Sequence, residues 1–218
     1  MISSTLMMKI RKNLEQVELS VPWMNLDSAG LITVGCGTML PSDSAAAEIP
    51  FFHKNAGKPA TVAEIKAAWQ QLHRGSAAQK TASSSKKFNA KHYEKETDLR
   101  ISRSVVDLRR DHHIQADYQQ LQAIYPEFDD FPEPAKLALF DMIYNVGPGQ
   151  NKDRHHRASG LRKFVHLNAA VRKRDWATAS KCCMRHGISF ERNRATAKLF
   201  ESCILDQSLA SQHAQASL

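Results

Sequence analysis

The sequence predicts an α+β protein that is mostly helical, with a small N-terminal β-hairpin lobe, a larger helical lobe and a cleft between them. The hairpin is indicated by a turn at 27–30, a short run of branched residues after it, and glycines at positions 35 and 37. The helical lobe is indicated by apolar residues that recur at helical spacing from 97 to 205. A Ser/Lys-rich segment separates these two parts of the chain.

The N-terminal part begins with a helix predicted over residues 10–19, where apolar residues recur at helical spacing with polar residues between them. Pro22 ends this helix or follows it closely. The turn at Asp27–Gly30 then leads into a short β segment over 31–34, which is rich in branched residues. Because glycines follow that segment, the chain is expected to turn back at once.

A second helix is predicted from Thr61 to Gly75. Thr61 and Glu64 form a capping box at its start, and Gly75 supplies the stop. The segment that follows, 76–96, contains many Ser and Lys residues and few large apolar ones. It is expected to be a mobile basic loop between the two lobes.

The rest of the chain is expected to be helical, and the segment 134–146 to be a fully buried helix, because it is apolar almost all round. Pro134 stands in its first turn and Gly147 ends it. The helices are expected at 97–110, 112–125, 134–146, 160–172, 175–186 and 192–205. The chain, 1–218, is predicted to be a single domain with an N-terminal part (10–75), the basic loop (76–96), the helical lobe (97–205) and a frayed tail (206–218).

The formal net charge is +8 and the pI is about 9.4, which favours an anionic partner without identifying it. Nucleic acid, an acidic membrane surface and an anionic cell-wall polymer all fit this charge. No run approaches the roughly 18–20 apolar residues of a membrane span, so no transmembrane segment is expected. The N-terminus lacks the features of a secretory signal, and the protein is expected to be made in the cytoplasm without a signal peptide.

The cysteine and histidine patterns do not support a metal or a cofactor. The four cysteines show no C-x-x-C spacing, so reduced buried thiols are expected. The adjacent histidines at 112–113 and 155–156 would point about 100° apart on a helix and rarely bind one ion. A basic cluster at 162–176 includes aromatic residues, but an exposed basic helix face explains it better than nucleic-acid binding. We expect no metal, no cofactor and no nucleic-acid partner.

Three polar residues near the hairpin have a pattern that suits glycosidic bond hydrolysis. Glu18, Asp27 and Thr33 follow the spacing E-x8-D-x5-T. In such a reaction one carboxylic acid protonates the leaving oxygen, and a second carboxylate stabilises the transition state or guides the nucleophile. A hydroxyl can hold the attacking water. On spacing alone, a solvated glutamate and a turn-forming aspartate are the preferred explanation.

The flanking residues resemble those of a known family. The segment VELSVPWMNLDSAGLITVGCGTML is similar to the active-site segment of the phage-type lysozymes, glycoside hydrolase family twenty-four, in which a catalytic Glu precedes a hairpin with the pattern D-x-x-G-x-x-T-[IV]-G-x-G. The segments ALFDMIYNVGPG and RNRATAKLF are similar to the family's buried central helix and to the start of its C-terminal helix. The resemblance covers residues 10–40 and 97–205. The hairpin pattern is matched at Asp27, Gly30, Thr33, Val34, Gly35 and Gly37.

This resemblance implies a lysozyme-like fold and a catalytic role for matching residues. Glu18 is expected to be the general acid, Asp27 the second carboxylate and Thr33 the hydroxyl that positions water. Arg194 is expected to pair with Glu18. A nearby cation lowers a carboxyl pKa, so some burial of the glutamate must oppose it if the acid is to stay protonated near neutral pH. Because the family inverts the anomeric centre, water is the expected nucleophile.

The resemblance also implies which residues line the substrate cleft. Gly37 and Met39 are expected to do so from the hairpin, and Tyr144 and Asn145 from the end of the buried helix. One departure is Thr38, which stands where the family usually has histidine. This difference concerns the anchoring of the hairpin more than the chemistry.

The implied activity is that of a muramidase, a peptidoglycan hydrolase that cleaves the β-1,4 bond between N-acetylmuramic acid and N-acetylglucosamine. A phage endolysin and an antibacterial effector toxin both fit, acting on the cell wall in the periplasm or outside. The expected partners are bacterial peptidoglycan and an immunity protein, inhibitor or secretion apparatus, and the expected state is a monomer. The alternative is a catalytically weak lysozyme-fold protein that acts by cationic binding to peptidoglycan or to a membrane.

Overall fold

A computed structural model describes residues 2–17, 20–27, 30–79, 90–150 and 160–216, with the backbone alone at Val17, 76–79 and 206–216. The described chain is α+β and mostly helical, so the predicted class is confirmed. The helices are α1 (Ser4–Val17), α2 (Asp43–Ala47), α3 (Val62–Gln79), α4 (Arg103–Ile124), α5 (Glu133–Val146), α6 (Val165–Arg172), α7 (Trp176–Cys182) and α8 (Phe190–Ala216). The strands are β1 (Val21–Leu26), β2 (Ile32–Gly35), β3 (Thr38–Met39), β4 (Phe51–His53) and β5 (Leu99–Ile101). No helix within these described ranges is long and apolar enough to cross a membrane.

The predicted hairpin is present and is extended by a third short strand. Strands β1, β2 and β3 form an antiparallel sheet in that order, and β4 pairs with β5 in a second one. Thr33 of β2 pairs with Asn25 of β1 on one side and with Met39 of β3 on the other. Gly37, in the turn between β2 and β3, has a φ of +77°. That backbone conformation costs glycine least, which explains the residue at this turn.

The described residues divide into two compact units, with the boundary inside α4, between His112 and His113. The sheet unit contains the strands, α2, α3 and the first part of α4. The helical unit contains α1, the rest of α4 and α5 to α8. The core of the sheet unit includes Met24, Leu26, Val34, Ile49, Phe51, Ile65, Leu72 and Ile101. The core of the helical unit includes Ile10, Leu14, Tyr125, Phe128, Phe140, Leu167, Trp176 and Phe200.

Helix α1 belongs to the helical unit, whereas the sequence prediction groups it with the hairpin. Its buried residues Ile10 and Leu14 lie in the core of that unit. On its exposed side Lys9 forms an ion pair with Glu133 at the start of α5, with 2.5 Å between Nζ and Oε1. An amphipathic pattern shows that a helix packs on one face, but not which element it packs against. The sequence pattern therefore could not indicate the unit to which α1 belongs.

Helix α4 is one continuous element, whereas the sequence predicts two helices in this part of the chain. No Gly or Pro interrupts 103–124, so nothing stops the helix midway. The strand β5 before it was not predicted. Its central residue, Arg100, is buried and donates to the carbonyl oxygens of Glu94 and Thr97, each at 2.8 Å. A buried arginine satisfied by backbone carbonyls leaves no apolar alternation by which to recognise the strand.

The capping box predicted at the start of α3 is confirmed. The Thr61 backbone N–H donates to Glu64 Oε2 (2.7 Å), and the Glu64 N–H donates to Thr61 Oγ1 (3.3 Å). The hydrogen bond from the Thr61 backbone N–H, followed by one from the Thr61 hydroxyl to the same Oε2 (2.7 Å), lowers the pKa of Glu64 to about 2. The helix nevertheless continues through Gly75 to Gln79. An interior glycine costs about 1 kcal/mol, and the alanines that follow favour the helix.

The basic loop and the C-terminal tail differ from prediction in extent. Residues 80–89 of the predicted loop lie outside the described residues, and 90–95 form a 3₁₀ helix. Helix α8 continues to Ala216, through most of the segment predicted to fray. Alanines recur in that segment and neither Gly nor Pro interrupts it, which favours a helix. The helices predicted at 160–172 and 175–186 are shorter, as α6 and α7 show.

The prediction of a buried helix near the middle of the chain is confirmed by α5. Seven of its residues are buried, from Ala135 to Ile143. Gly147, with a φ of +70°, caps its C-terminus and donates to the carbonyl of Ile143 at 2.8 Å. The chain beyond this cap lies against a 3₁₀ turn at Gly160–Lys163, and the Leu161 N–H donates to the carbonyl of Gly147 at 2.8 Å.

Gly160 is required by this close approach of two backbone segments. Its φ is +54°, and a Cβ placed on it would lie 2.6 Å from the carbonyl oxygen of Gly147. We expect Gly160→Ala to lower the free energy of unfolding by about 3 kcal/mol, through backbone strain and steric overlap together. Gly187→Ala is the control for the strain alone, since Gly187 also has a positive φ but open space around it. Its expected cost is about 1 kcal/mol. Equal costs in urea unfolding would contradict this account of Gly160.

Candidate active site

Asp27 closes the turn between β1 and β2. Its backbone N–H donates to the carbonyl of Leu31 at 2.9 Å, and its carbonyl accepts from the Gly30 N–H at 2.9 Å. Its side-chain Oδ1 also accepts from the Leu31 N–H, at 2.8 Å. The turn therefore holds the Asp27 carboxylate by its own backbone hydrogen bonds, which gives the structural reason for an acidic residue between the two halves of the hairpin.

Thr33 lies on β2 with its hydroxyl turned toward β1. The side chain is mostly buried, with 7% exposed, and the Oγ1 hydroxyl donates to Asn25 Oδ1 at 3.4 Å. Asn25 is itself fixed, because its amide donates to the carbonyls of Trp23 and Thr33, each at 3.2 Å. Since the hydroxyl proton is directed to Asn25, the lone pairs of Thr33 Oγ1 remain to accept a hydrogen bond from another donor.

The strand register places Asp27, Asn25 and Thr33 on one face of the hairpin. Asn25 and Thr33 are directly paired, and Asp27 follows Asn25 by two residues, so its side chain points to the same face. Diagonal neighbours of this kind have Cα atoms about 7–8 Å apart. This alternation assigns Asp27 and Thr33 to one face of the hairpin; that they act together stays a prediction.

Met39 is the third-strand partner of Thr33, and half of its side chain is exposed. It lines a pocket of about 220 Å³ beside the hairpin, together with Leu31, Pro41, Trp69 and other residues. The Trp69 indole N–H donates to the carbonyl of Leu40 at 2.9 Å. Trp69 is thus part of the pocket wall. Gly37 lies exposed in the adjacent turn.

The predicted general acid, Glu18, lies outside the described residues. Its predicted partner, Arg194, is half exposed on α8 and pairs with Glu201, with 2.8 Å between Nη1 and Oε1. Two residues earlier, Arg192 turns inward to α5, where its Nε donates to Asp141 Oδ1 at 2.9 Å. Arg192 is therefore the α8 arginine that contacts the buried helix.

Asp141 is the centre of a buried polar network in the helical unit. The Arg185 guanidinium donates to Asp141 Oδ2 at 2.7 Å and to its backbone carbonyl at 3.0 Å. The Thr196 hydroxyl donates to the same Oδ2 at 2.6 Å, and Arg192 donates to Oδ1. Asn193 accepts from both the backbone N–H and the Nε of Arg185, at 3.0 and 3.2 Å. One carboxylate therefore joins α5, the α7–α8 connection and α8.

Tyr144 and Asn145 end α5, as the sequence predicts, and both are half-buried. The Tyr144 ring stacks on the His113 imidazole of α4, with 4.4 Å between ring centroids and 24° between planes. The side-chain oxygen of Asn145 is buried and has no hydrogen-bond partner among the described residues. A buried acceptor of this kind is costly to leave unpaired, so it is suited to a donor from a bound molecule or water.

Sequence reasoning missed Asn25, Arg185 and Arg192. For Arg185 and Arg192 a signal existed: Asp141 lies in an apolar helix, and a buried carboxylate needs a cation. The sequence offered several arginines, and nothing in it showed which of them would reach α5. Asn25 gave no comparable signal, because its role depends on the register of β1 against β2.

The cysteines and the acidic and histidine side chains are the other groups that could carry chemistry. None of the four cysteines forms a disulfide. Burial raises the pKa of Cys183 to about 11, so this thiol is expected to be unreactive. Within the described ranges, no group of three or more His, Cys, Asp or Glu side chains is arranged to hold a metal ion.

No protein-family model matches this chain, and no curated protein matches its sequence.

The Asp141 network predicts a large difference between two charge-removing substitutions. Asp141→Asn leaves two buried arginines without a counter-charge, and we expect it to lower the free energy of unfolding by about 3–5 kcal/mol. Glu201→Gln removes the exposed partner of Arg194 and should cost less than about 1 kcal/mol. Urea unfolding of both variants at neutral pH measures these values. An Asp141→Asn variant as stable as Glu201→Gln would show that the network does not stabilise the helical unit.

Proposed function

We propose that the chain is a peptidoglycan hydrolase of the muramidase type with a lysozyme-like fold. The observation that carries the proposal is the hairpin, which fixes Asp27 by its turn and holds Thr33 on the same face of the strand pair. The resemblance to the phage-type lysozymes supplies the third member, Glu18, which directly follows the last residue of α1 in the sequence.

In this proposal Glu18 protonates the glycosidic oxygen, and Asp27 takes a proton from a water that attacks the anomeric carbon from the opposite face. Thr33 positions that water, because its hydroxyl donates to Asn25 and keeps its lone pairs for a second donor. The attack inverts the anomeric configuration, and no covalent sugar intermediate forms. This mechanism requires the carboxyl groups of Glu18 and Asp27 to be about 6.5–9.5 Å apart.

The substrate is proposed to contact Gly37 and Met39 on the hairpin and Tyr144 and Asn145 at the end of α5. The unpaired buried oxygen of Asn145 supports this assignment, because an acetamido N–H of an amino sugar is a donor that could satisfy it. The exposed Met39 side chain offers an apolar surface to a sugar ring. Aromatic and apolar surfaces with a few fixed polar groups are the usual composition of a ligand site.

The net charge of +8 supports an anionic polymer as the target. Both biological settings fit the proposal: an endolysin made in the cytoplasm that reaches the wall during host lysis, and an effector toxin delivered to the periplasm of a target cell. In the second setting an immunity protein or a secretion apparatus would be a partner. The protein is proposed to act as a monomer.

The catalytic roles predict distinct effects of matched substitutions on wall lysis. Glu18→Gln should lower the rate of turbidity loss from cell-wall suspensions by about 10²–10⁴-fold, because the general acid is lost. Asp27→Asn should have a similar effect. Glu48→Gln, at an exposed position in the sheet unit, is the matched control and should keep the wild-type rate.

Undiminished lysis by Glu18→Gln would overturn the hydrolase mechanism. That result would favour the alternative, a lysozyme-fold protein that disrupts peptidoglycan or membranes through its cationic surface. Retained binding to purified peptidoglycan without release of sugars, by the wild type as well as the variant, would support the same alternative.

Two arginines of α8 are candidates for pairing with Glu18, and substituting each of them in turn shows which one does so. Arg194 is assigned this role by resemblance, whereas Arg192 is the residue whose side chain contacts α5. If Arg194 acts, Arg194→Ala should lower kcat and shift the alkaline limb of the pH–rate profile to higher pH, because that limb reports the general acid and a cation near a carboxyl lowers its pKa. If Arg192 acts, Arg194→Ala should leave both unchanged, and Arg192→Lys should alter them.

A further inference from the structure

A buried carboxyl group on α4 is connected to Tyr144 through one intervening side chain, that of His113. Asp117 has 3% of its surface exposed, and its Oδ2 has no hydrogen-bond partner among the described residues. The titratable group that approaches it is His113, one helical turn earlier, with 3.4 Å between Nε2 and Oδ2. An acid buried in this way is costly as a carboxylate unless a donor reaches it.

His113 connects this carboxyl group to the end of α5. Its imidazole is in contact distance of Asp117 through Nε2 and stacks face to face on the Tyr144 ring, with centroids 4.4 Å apart. Any rotation of the imidazole toward the carboxylate therefore changes the surface on which the tyrosine ring rests. The order of contacts is Asp117, His113 and Tyr144, all within the helical unit.

Burial also shifts the protonation equilibria of Asp117 and His113. Burial raises the pKa of Asp117 to about 7 and lowers the pKa of His113 below its usual value. Near pH 7 the carboxyl group is therefore neutral in part of the molecules and ionised in the rest, next to a neutral imidazole. Above that pH the new carboxylate favours an Nε2–H tautomer that donates to it.

Other charged groups near this cluster have their own partners. On α4, Arg110 pairs with Asp107 at 2.9 Å, and the Tyr118 hydroxyl donates to Asp129 at 2.8 Å. On α5, the charged residue one turn before Tyr144 is Asp141, which Arg185 and Arg192 neutralise. Tyr144 is the titratable group of α5 that faces His113.

We propose that Asp117 and His113 are positioning residues that act through Tyr144: ionisation of Asp117 draws the His113 Nε2–H toward it, and this fixes the tyrosine ring and sets how strongly the substrate binds. The first half of this inference rests on the burial of Asp117 and on the contacts of His113 with Asp117 and Tyr144. The second half rests on the proposed function, since it requires Tyr144 to contact the sugar chain.

The test begins with a readout that needs no activity. The chain has four tyrosines, so ¹³C-tyrosine labelling gives few ring signals, and Tyr144→Phe assigns the one of interest. The Tyr144 ring shift is followed from about pH 5.5 to 8.5 in the wild type, Asp117→Asn, His113→Gln and the control Asp130→Asn. Asp130 is exposed and lies in the same unit.

In the wild type and in Asp130→Asn the shift is expected to titrate with a midpoint near pH 7. In Asp117→Asn and His113→Gln that transition should be absent. A wild-type shift that does not titrate, or one that titrates unchanged in Asp117→Asn, would overturn the positioning pair. Asparagine has nearly the same shape as the protonated, neutral form of Asp117. Urea unfolding at pH 6 checks that each variant is folded.

The second measurement is the pH dependence of KM for soluble peptidoglycan fragments. In the wild type KM should change by about three- to tenfold between pH 6 and 8, and in Asp117→Asn it should be flat, while the pH profile of kcat is the same in both. A KM profile shared by the two proteins would overturn the link to substrate binding. If no protein hydrolyses the fragments but the ring titration depends on Asp117, the positioning pair is supported and the proposed function fails.

Discussion

The carboxylate of Asp141 is the interaction on which the helical unit depends. It lies in an otherwise apolar helix, where an isolated charge would be prohibitively costly, and it is matched by two arginines and a hydroxyl from outside that helix. Arg185 comes from the connection between α7 and α8, and Arg192 and Thr196 come from α8. Each of these groups finds its hydrogen-bond partners only when the others are in place. The network therefore favours one packing of α5 against α8, and it holds the residues at the end of α5 in position.

The hairpin of the sheet unit also holds polar side chains in fixed positions. In the hairpin the functional candidates are held by hydrogen bonds from the backbone and from Asn25 rather than by an ion pair. Asp27 sits at the turn, where its own chain fixes it, and Thr33 is oriented by its cross-strand partner. The turn therefore fixes Asp27, and the register of β1 against β2 fixes Thr33.

Sequence patterns predicted those features that depend only on residues close together in the chain. The capping box at Thr61 and Glu64, the hairpin turn at Asp27 and the glycine cap of α5 were all predictable, because each depends on neighbouring residues. The place of α1 in the helical unit, the inward turn of Arg192 and the burial of Asp117 depend on contacts between distant segments, which spacing does not encode. The strand at Leu99–Ile101 was missed for the same reason, since it pairs with the distant strand Phe51–His53.

In the proposed reaction, water activated on the hairpin face cleaves a glycosidic bond of peptidoglycan. The most direct measurement is mass spectrometry of the products that the wild-type protein releases from purified peptidoglycan in heavy-oxygen water. We expect fragments that end in reducing N-acetylmuramic acid and carry one heavy oxygen atom. Fragments ending in an internal anhydro sugar or in reducing N-acetylglucosamine, or no released fragments at all, would contradict the proposed reaction.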